Sequence, residues 1–187
     1  MESEQLEIGT LTFRIEVPKE IGPGSSLAKK IAGELVSSLN YRLFEAARRG
    51  VIRYSIRSQV SEVRAGCLFV TLQLYADVIF ATGAVAAALA KFVGDYPKIR
   101  EGVLAIGRDI KEIRLKSFAV FERKFATHVE EESLVAEERV PFKAAVVEEK
   151  VRLAKLAEEA SRLAAEKAAE QQSRTSPVRR GRPEPMA

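Results

Sequence analysis

The stretch AGCLFVTLQLYADVIFATGAVAAALA, from Ala65 to Ala90, decides the class of fold, because Asp77 is its only charged residue. About 20 apolar residues are enough to cross a bilayer, so a membrane span over 65–90 competes with a buried strand followed by a helix. The strand-plus-helix reading is preferred on two grounds. A span would bring Gln73 and Asp77 near the bilayer centre, where an aspartate costs about 2.5–3.5 kcal/mol on insertion scales. The two halves also differ in period. Leu68, Val70, Leu72 and Leu74 alternate with Cys67, Phe69, Thr71, Gln73 and Tyr75, which is a strand with one aliphatic face, placed at the centre of a sheet. After Asp77, read as an N-cap, Val78 to Val93 is alanine-rich and reads as a helix. Flanking cations lie on both sides (Arg57 and Arg64 before, Lys91, Lys98 and Arg100 after) and give a span no orientation.

Working toward the N-terminus, Ile52, Tyr54 and Ile56 alternate with Arg53, Ser55 and Arg57 and predict a second strand, closed by a polar break at Ser58–Glu62. Before it, Leu27, Ile31, Leu35, Leu39 and Leu43 form one helical face. Ser25 or Ser26 is placed to cap that helix, Arg48 and Arg49 lie in its last turn, and Gly50 stands where a left-handed C-cap is expected. Leu11, Phe13, Ile15 and Val17 predict the first strand, ended by Pro18 and preceded by an arm over 1–10.

Toward the C-terminus, Gly94-Asp95-Tyr96-Pro97 reads as a break, and Val103, Ile106, Ile110 and Ile113, continued by Phe118, Phe121 and Phe125, predict an amphipathic helix. The expectation is an α+β domain over 11–128 with element order β-α-β-β-α-α. Its three-stranded sheet has order 1-3-2 and helices on one face, with the first two strands parallel in direction. An acidic joint with Glu130–Glu132, Glu137, Glu138 and Pro141 follows, then a long Ala/Glu-rich helix from Ala144 to Gln172, the two together covering 129–172. The remaining residues, 173–187, form a Ser/Pro/Arg/Gly-rich tail expected to be disordered.

Composition narrows the function classes without naming one. Lys and Arg number 30 against 26 Asp and Glu, for a net charge of +4, and the basic excess forms no stripe outside the tail. Cys67 is the one cysteine and His128 the one histidine, which excludes an internal disulfide and a Cys/His metal cluster. The acidic start Met1-Glu2-Ser3-Glu4 has no apolar h-region behind it, so the cytoplasm is the expected compartment. No catalytic, cofactor-binding or metal residues are assigned. Gly22-Pro23-Gly24-Ser25-Ser26, with Lys29 and Lys30 nearby, joins a strand to a helix but lacks the spacing of a phosphate loop. His128 has no accompanying nucleophile, Cys67 reads as a small buried hydrophobe, and the glutamates do not match a calcium loop. Glu148/Arg152 and Glu158/Arg162 are helix-supporting i,i+4 pairs.

Two features point to partners. Leu153, Leu156, Ala160 and Leu163 form a heptad seam on the long helix, ended by Lys167 at the next core position, and predict protein binding or self-association. In the tail, Arg179, Arg180, Gly181 and Arg182 precede Pro183. Arg180-Gly181-Arg182-Pro183 resembles the centre of an AT-hook, in which an extended Arg-Gly-Arg lies in the minor groove of A/T-rich DNA, although Arg179 stands where a proline is usual. The resemblance implies DNA as a partner, with Arg174 adding charge. The leading expectation is a non-enzymatic interaction or assembly protein; a DNA-associated protein and a membrane-anchored accessory protein are the alternatives.

Overall fold

The computed structural model describes residues 2–18, 20–64, 68–81, 84–116 and 122–175. In order, these form β1 (Glu2–Ile15), α1 (Ser26–Arg48), β2 (Ser55–Arg64), β3 (Leu68–Phe80), α2 (Val85–Arg108), β4 (Glu112–Lys116), β5 (Glu122–Leu134) and, after a short 3-10 turn at Glu137–Arg139, α3 (Val140–Thr175). The strands make one five-stranded sheet in the order β2-β3-β1-β5-β4, with every neighbouring pair antiparallel. The expected order 1-3-2 is present inside it. Because β1 and β2 are each antiparallel to β3, they run in the same direction, as a helical crossover requires. Without β4, the order and directions are those of a split β-α-β sheet.

Two compact units divide the chain, Met1–Glu148 and Glu149–Ala187. The core of the first is the aliphatic face expected on β3. Leu68, Val70, Leu72, Leu74, Ala76 and Val78 are all buried, while Phe69, Thr71, Gln73, Tyr75 and Asp77 on the other face are half-exposed. Helices α1 and α2 cover the buried face through Ile31, Leu35, Leu39 and Leu43 and through Leu89, Phe92, Tyr96, Ile99 and Val103. Helix α1 touches both β2 and β4, the two edges of the sheet. It does not come comparably close to β1 or β5, which lie between those edges, so the sheet is curled. Register shifts at Glu7/Gly9, Thr12/Phe13 and Val60/Glu62 supply the bends.

The bulge in β1 is the sharpest of these devices. Leu6 and Ile8 are buried before it and Leu11, Phe13 and Ile15 after it, so the core-facing parity changes from even to odd. Gly9 makes the change with a φ of 130°, and a Cβ there would collide with the Ser133 carbonyl and lie 2.6 Å from the Leu134 Cα. Helix α1 is built as its sequence predicts. The Ser25 side chain accepts the Ala28 N–H at 3.1 Å, and Gly50 follows the C-cap with a φ of 73°.

The structure corrects several expectations. Residues 2–10 belong to β1 and are not an arm, because the parity change hides their alternation. Ser58–Glu62 is part of β2, whereas Ile52 and Tyr54 precede it. Asp77 lies inside β3 and caps nothing; Arg57 on the neighbouring strand pairs with it at 3.1 Å. Pro97 falls within α2, where buried Phe92, Tyr96 and Ile99 offset a proline cost of about 3 kcal/mol. The helix expected through Phe125 stops at Arg108, and β4 and β5 follow it, making five strands where three were expected; Phe118 and Phe121 lie outside the described residues. Ile113 and Leu115, then Phe125 and Thr127, are buried at a period of two. Glu130–Glu132 sit in β5, and Pro141 sits in the first turn of α3, where its missing N–H costs nothing. Within 65–90 the described residues are β3 and the start of α2, and among the described residues no helix is long and apolar enough to cross a membrane.

Candidate interaction surface and neighbouring sites

Helix α3 carries the seam that the sequence singles out. Leu153, Leu156 and Leu163 are 57%, 52% and 51% exposed, and Ala160 between them is exposed too. Arg152 reaches back to Glu149 at 3.5 Å in place of the expected Glu148. The stripe begins earlier than the leucines suggest. Carrying the 4-3 spacing back from Leu153 passes Glu149 and reaches Val146 and Phe142, which are 54% and 73% exposed. Val140 and Ala144, on the opposite side of that first part of the helix, are buried at 2% and 5%. The sequence signal for Phe142 and Val146 is the same spacing, obscured by the acidic residues and Pro141 around it.

Around the sheet face not covered by α1 and α2, cations stand beside carboxylates. Arg57 pairs with Asp77, Arg64 lies 3.6 Å from Glu62 and over the Phe69 ring, and Arg14 lies 4.0 Å from Glu130. His128 lies 3.6 Å from Glu16 on the same face, exposed to water. The Thr12 and Thr71 hydroxyls meet across the centre of this face at 3.0 Å.

A cavity of about 360 Å³ lies between the α1–β2 connection and α2, lined by Arg53, Tyr54, Asp95 and Lys98 among others. The Tyr54 hydroxyl donates to Asp95 at 3.4 Å, and its ring packs edge-on against Phe92 with centroids 5.0 Å apart. Burial, then the Asp95 carboxylate, pushes the Tyr54 phenol up to about 12, so it is a neutral donor at physiological pH.

The other sequence candidates have local roles or lie elsewhere. Gly22 accepts the Ser25 N–H at 3.0 Å in a turn, and Ser25 spends its side chain on capping. Among the described residues, no group of three or more His, Cys, Asp or Glu side chains could hold a metal ion. Cys67 and the tail residues Arg179, Arg180, Gly181 and Arg182 lie outside the described residues. Compared with models of known protein families, with curated proteins and with solved structures, the chain matches none.

Proposed function

We propose that this chain is a non-enzymatic interaction and assembly module of the cytoplasm, with α3 as its binding element. The observation that carries the reading is the stripe Leu153, Leu156, Ala160 and Leu163, whose three leucines keep about half of their surface in water. Fully burying a leucine is worth about 1.5–3 kcal/mol, so each half-exposed leucine has roughly 1 kcal/mol still to gain from a partner. From Leu153 to Ala169 no side chain of α3 is buried, so that stretch has little beyond helix propensity to sustain it, which is marginal in water. A partner supplies both the burial and the order.

The test is sedimentation of the full chain with and without the joint substitution of Leu153, Leu156 and Leu163 by serine. The wild type should show a concentration-dependent mass or capture a partner, and the triple variant should lose either behaviour while keeping a cooperative unfolding transition. A monomer at every accessible concentration that also recovers nothing in pull-downs would overturn the reading. The tail would then become the leading element, and salt-dependent binding to an A/T-rich duplex, lost on removing 173–187, would be its signature.

A further inference from the structure

We infer that the occupant of the α3 stripe is α3 of a second copy, running antiparallel, with Leu153 of each chain against Leu156 of the other and the seam reaching back to Phe142. This rests on the assembly reading and makes it specific. Two observations separate antiparallel from parallel pairing. The first is where charge falls on the seam: the 4-3 spacing places Glu149 and Lys167 at core positions among the apolar residues. In a parallel, in-register pair, Glu149 faces Glu149 and Lys167 faces Lys167, so two like-charge contacts are drawn into a low-dielectric seam. In the antiparallel register, Glu149 faces the small Ala160 of the second copy and keeps its own Arg152 at 3.5 Å. Lys167 then faces the 73% exposed Phe142, where its stem covers the ring and its ammonium reaches water or the ring face. Val146 meets Leu163, so the apolar layers are filled at the same setting.

The second observation is the flank. Antiparallel pairs bring matching flanking positions together, and on one flank these are Arg152 and Glu159. The register set by the leucines places Arg152 of each chain beside Glu159 of the other, twice over by symmetry. In the parallel register the same residues face Ala157 and Ala164. Since Val140 and Ala144 turn the opposite side of the helix inward, Phe142 and Val146 are left open to the second copy.

Disulfide trapping reads the direction, because two cysteines bridge only when their Cα atoms come within about 7 Å. In the full chain carrying Cys67→Ser, Glu149→Cys and Ala160→Cys are made as separate variants, both at positions exposed in the single chain. Each is oxidised alone and after mixing and re-equilibration. Antiparallel pairing predicts a linked Glu149→Cys/Ala160→Cys heterodimer in the mixture and at least a tenfold lower yield from either variant alone. Phe142→Ser should weaken dimerisation at least tenfold. Efficient self-linking of each variant overturns the inference in favour of parallel pairing, with the assembly reading intact. A sedimenting dimer that links in neither arrangement overturns it by placing the contact elsewhere. A wild-type monomer that binds a different protein through the stripe overturns the self-pairing alone, whereas a monomer that binds nothing overturns both.

Discussion

Asn40 on α1 holds Ser58 on β2 by three hydrogen bonds: its Oδ1 accepts from the Ser58 N–H at 2.7 Å and the Ser58 Oγ at 2.9 Å, and its Nδ2 donates to the Ser58 carbonyl at 3.2 Å. β2 is an edge strand, so at this position the carboxamide takes the place of a further strand's backbone. The link ties the first helix to one rim of the sheet.

Asn40→Ala should therefore destabilise the domain by about 1–3 kcal/mol, because it leaves the Ser58 N–H and hydroxyl without their acceptor. Asn40→Asp keeps the acceptor but sets a carboxylate oxygen against the Ser58 carbonyl, so it should rescue only part of the loss. Chemical denaturation midpoints of the three proteins give the ranking.

Leu72 is fully buried at the centre of β3. Leu72→Ala should cost about 2–5 kcal/mol by opening a cavity beneath the helices, and Val70→Ala somewhat less because it removes less volume. An unchanged unfolding midpoint for Leu72→Ala would contradict the position of β3.

Gly9→Ala should cost at least about 1–3 kcal/mol, since a φ of 130° strains any residue with a side chain and the new methyl would also strike the Ser133 carbonyl. The loss should appear as a lower thermal midpoint. A serine at the same place should do no better.

Stability should fall at alkaline pH. Burial pushes the Tyr96 phenol up to about 12, and burial followed by Asp95 does the same for Tyr54. The unfolded chain releases these protons from about pH 10, so the unfolded state binds fewer protons than the folded one across the interval. The stability they contribute is fully present below about pH 10 and is lost as pH rises through about 12. Denaturation at a series of pH values, compared with Tyr96→Phe, should show a shallower alkaline decline in the variant.

The parts of this fold legible in the sequence are those whose signals are local. Helix α1 announces itself through Ser25, its four-residue apolar steps and Gly50, and β3 through its strict alternation. The pairing of β4 with β5 is hidden in the sequence, because Ile106, Ile110 and Ile113 continue a helical spacing across the end of α2 and the period of two from Ile113 to Leu115 is too brief to stand out. Pro97 reads as part of a break from its own backbone chemistry, whereas the burial of Phe92 and Tyr96 decides that the helix continues through it. For the candidate surface, Leu153 to Leu163 could be read directly. Phe142 and Val146 could not, because whether the start of the helix exposes them depends on Val140 and Ala144 docking on the opposite side.

The glycine kink in β1 has a consequence for how the chain finds its alignment. The strand consists of two half-strands in opposite phase, one with even-numbered residues inward and one with odd. A one-residue slide of the whole strand turns both sets of side chains toward water, and straightening the kink rescues one set only by sacrificing the other. A near-miss pairing with β3 or β5 is thus penalised at both ends. Deleting Gly9 would bring the two halves into one phase, with Leu6, Ile8, Leu11, Phe13 and Ile15 alternating without a break, and so erase this frame marker.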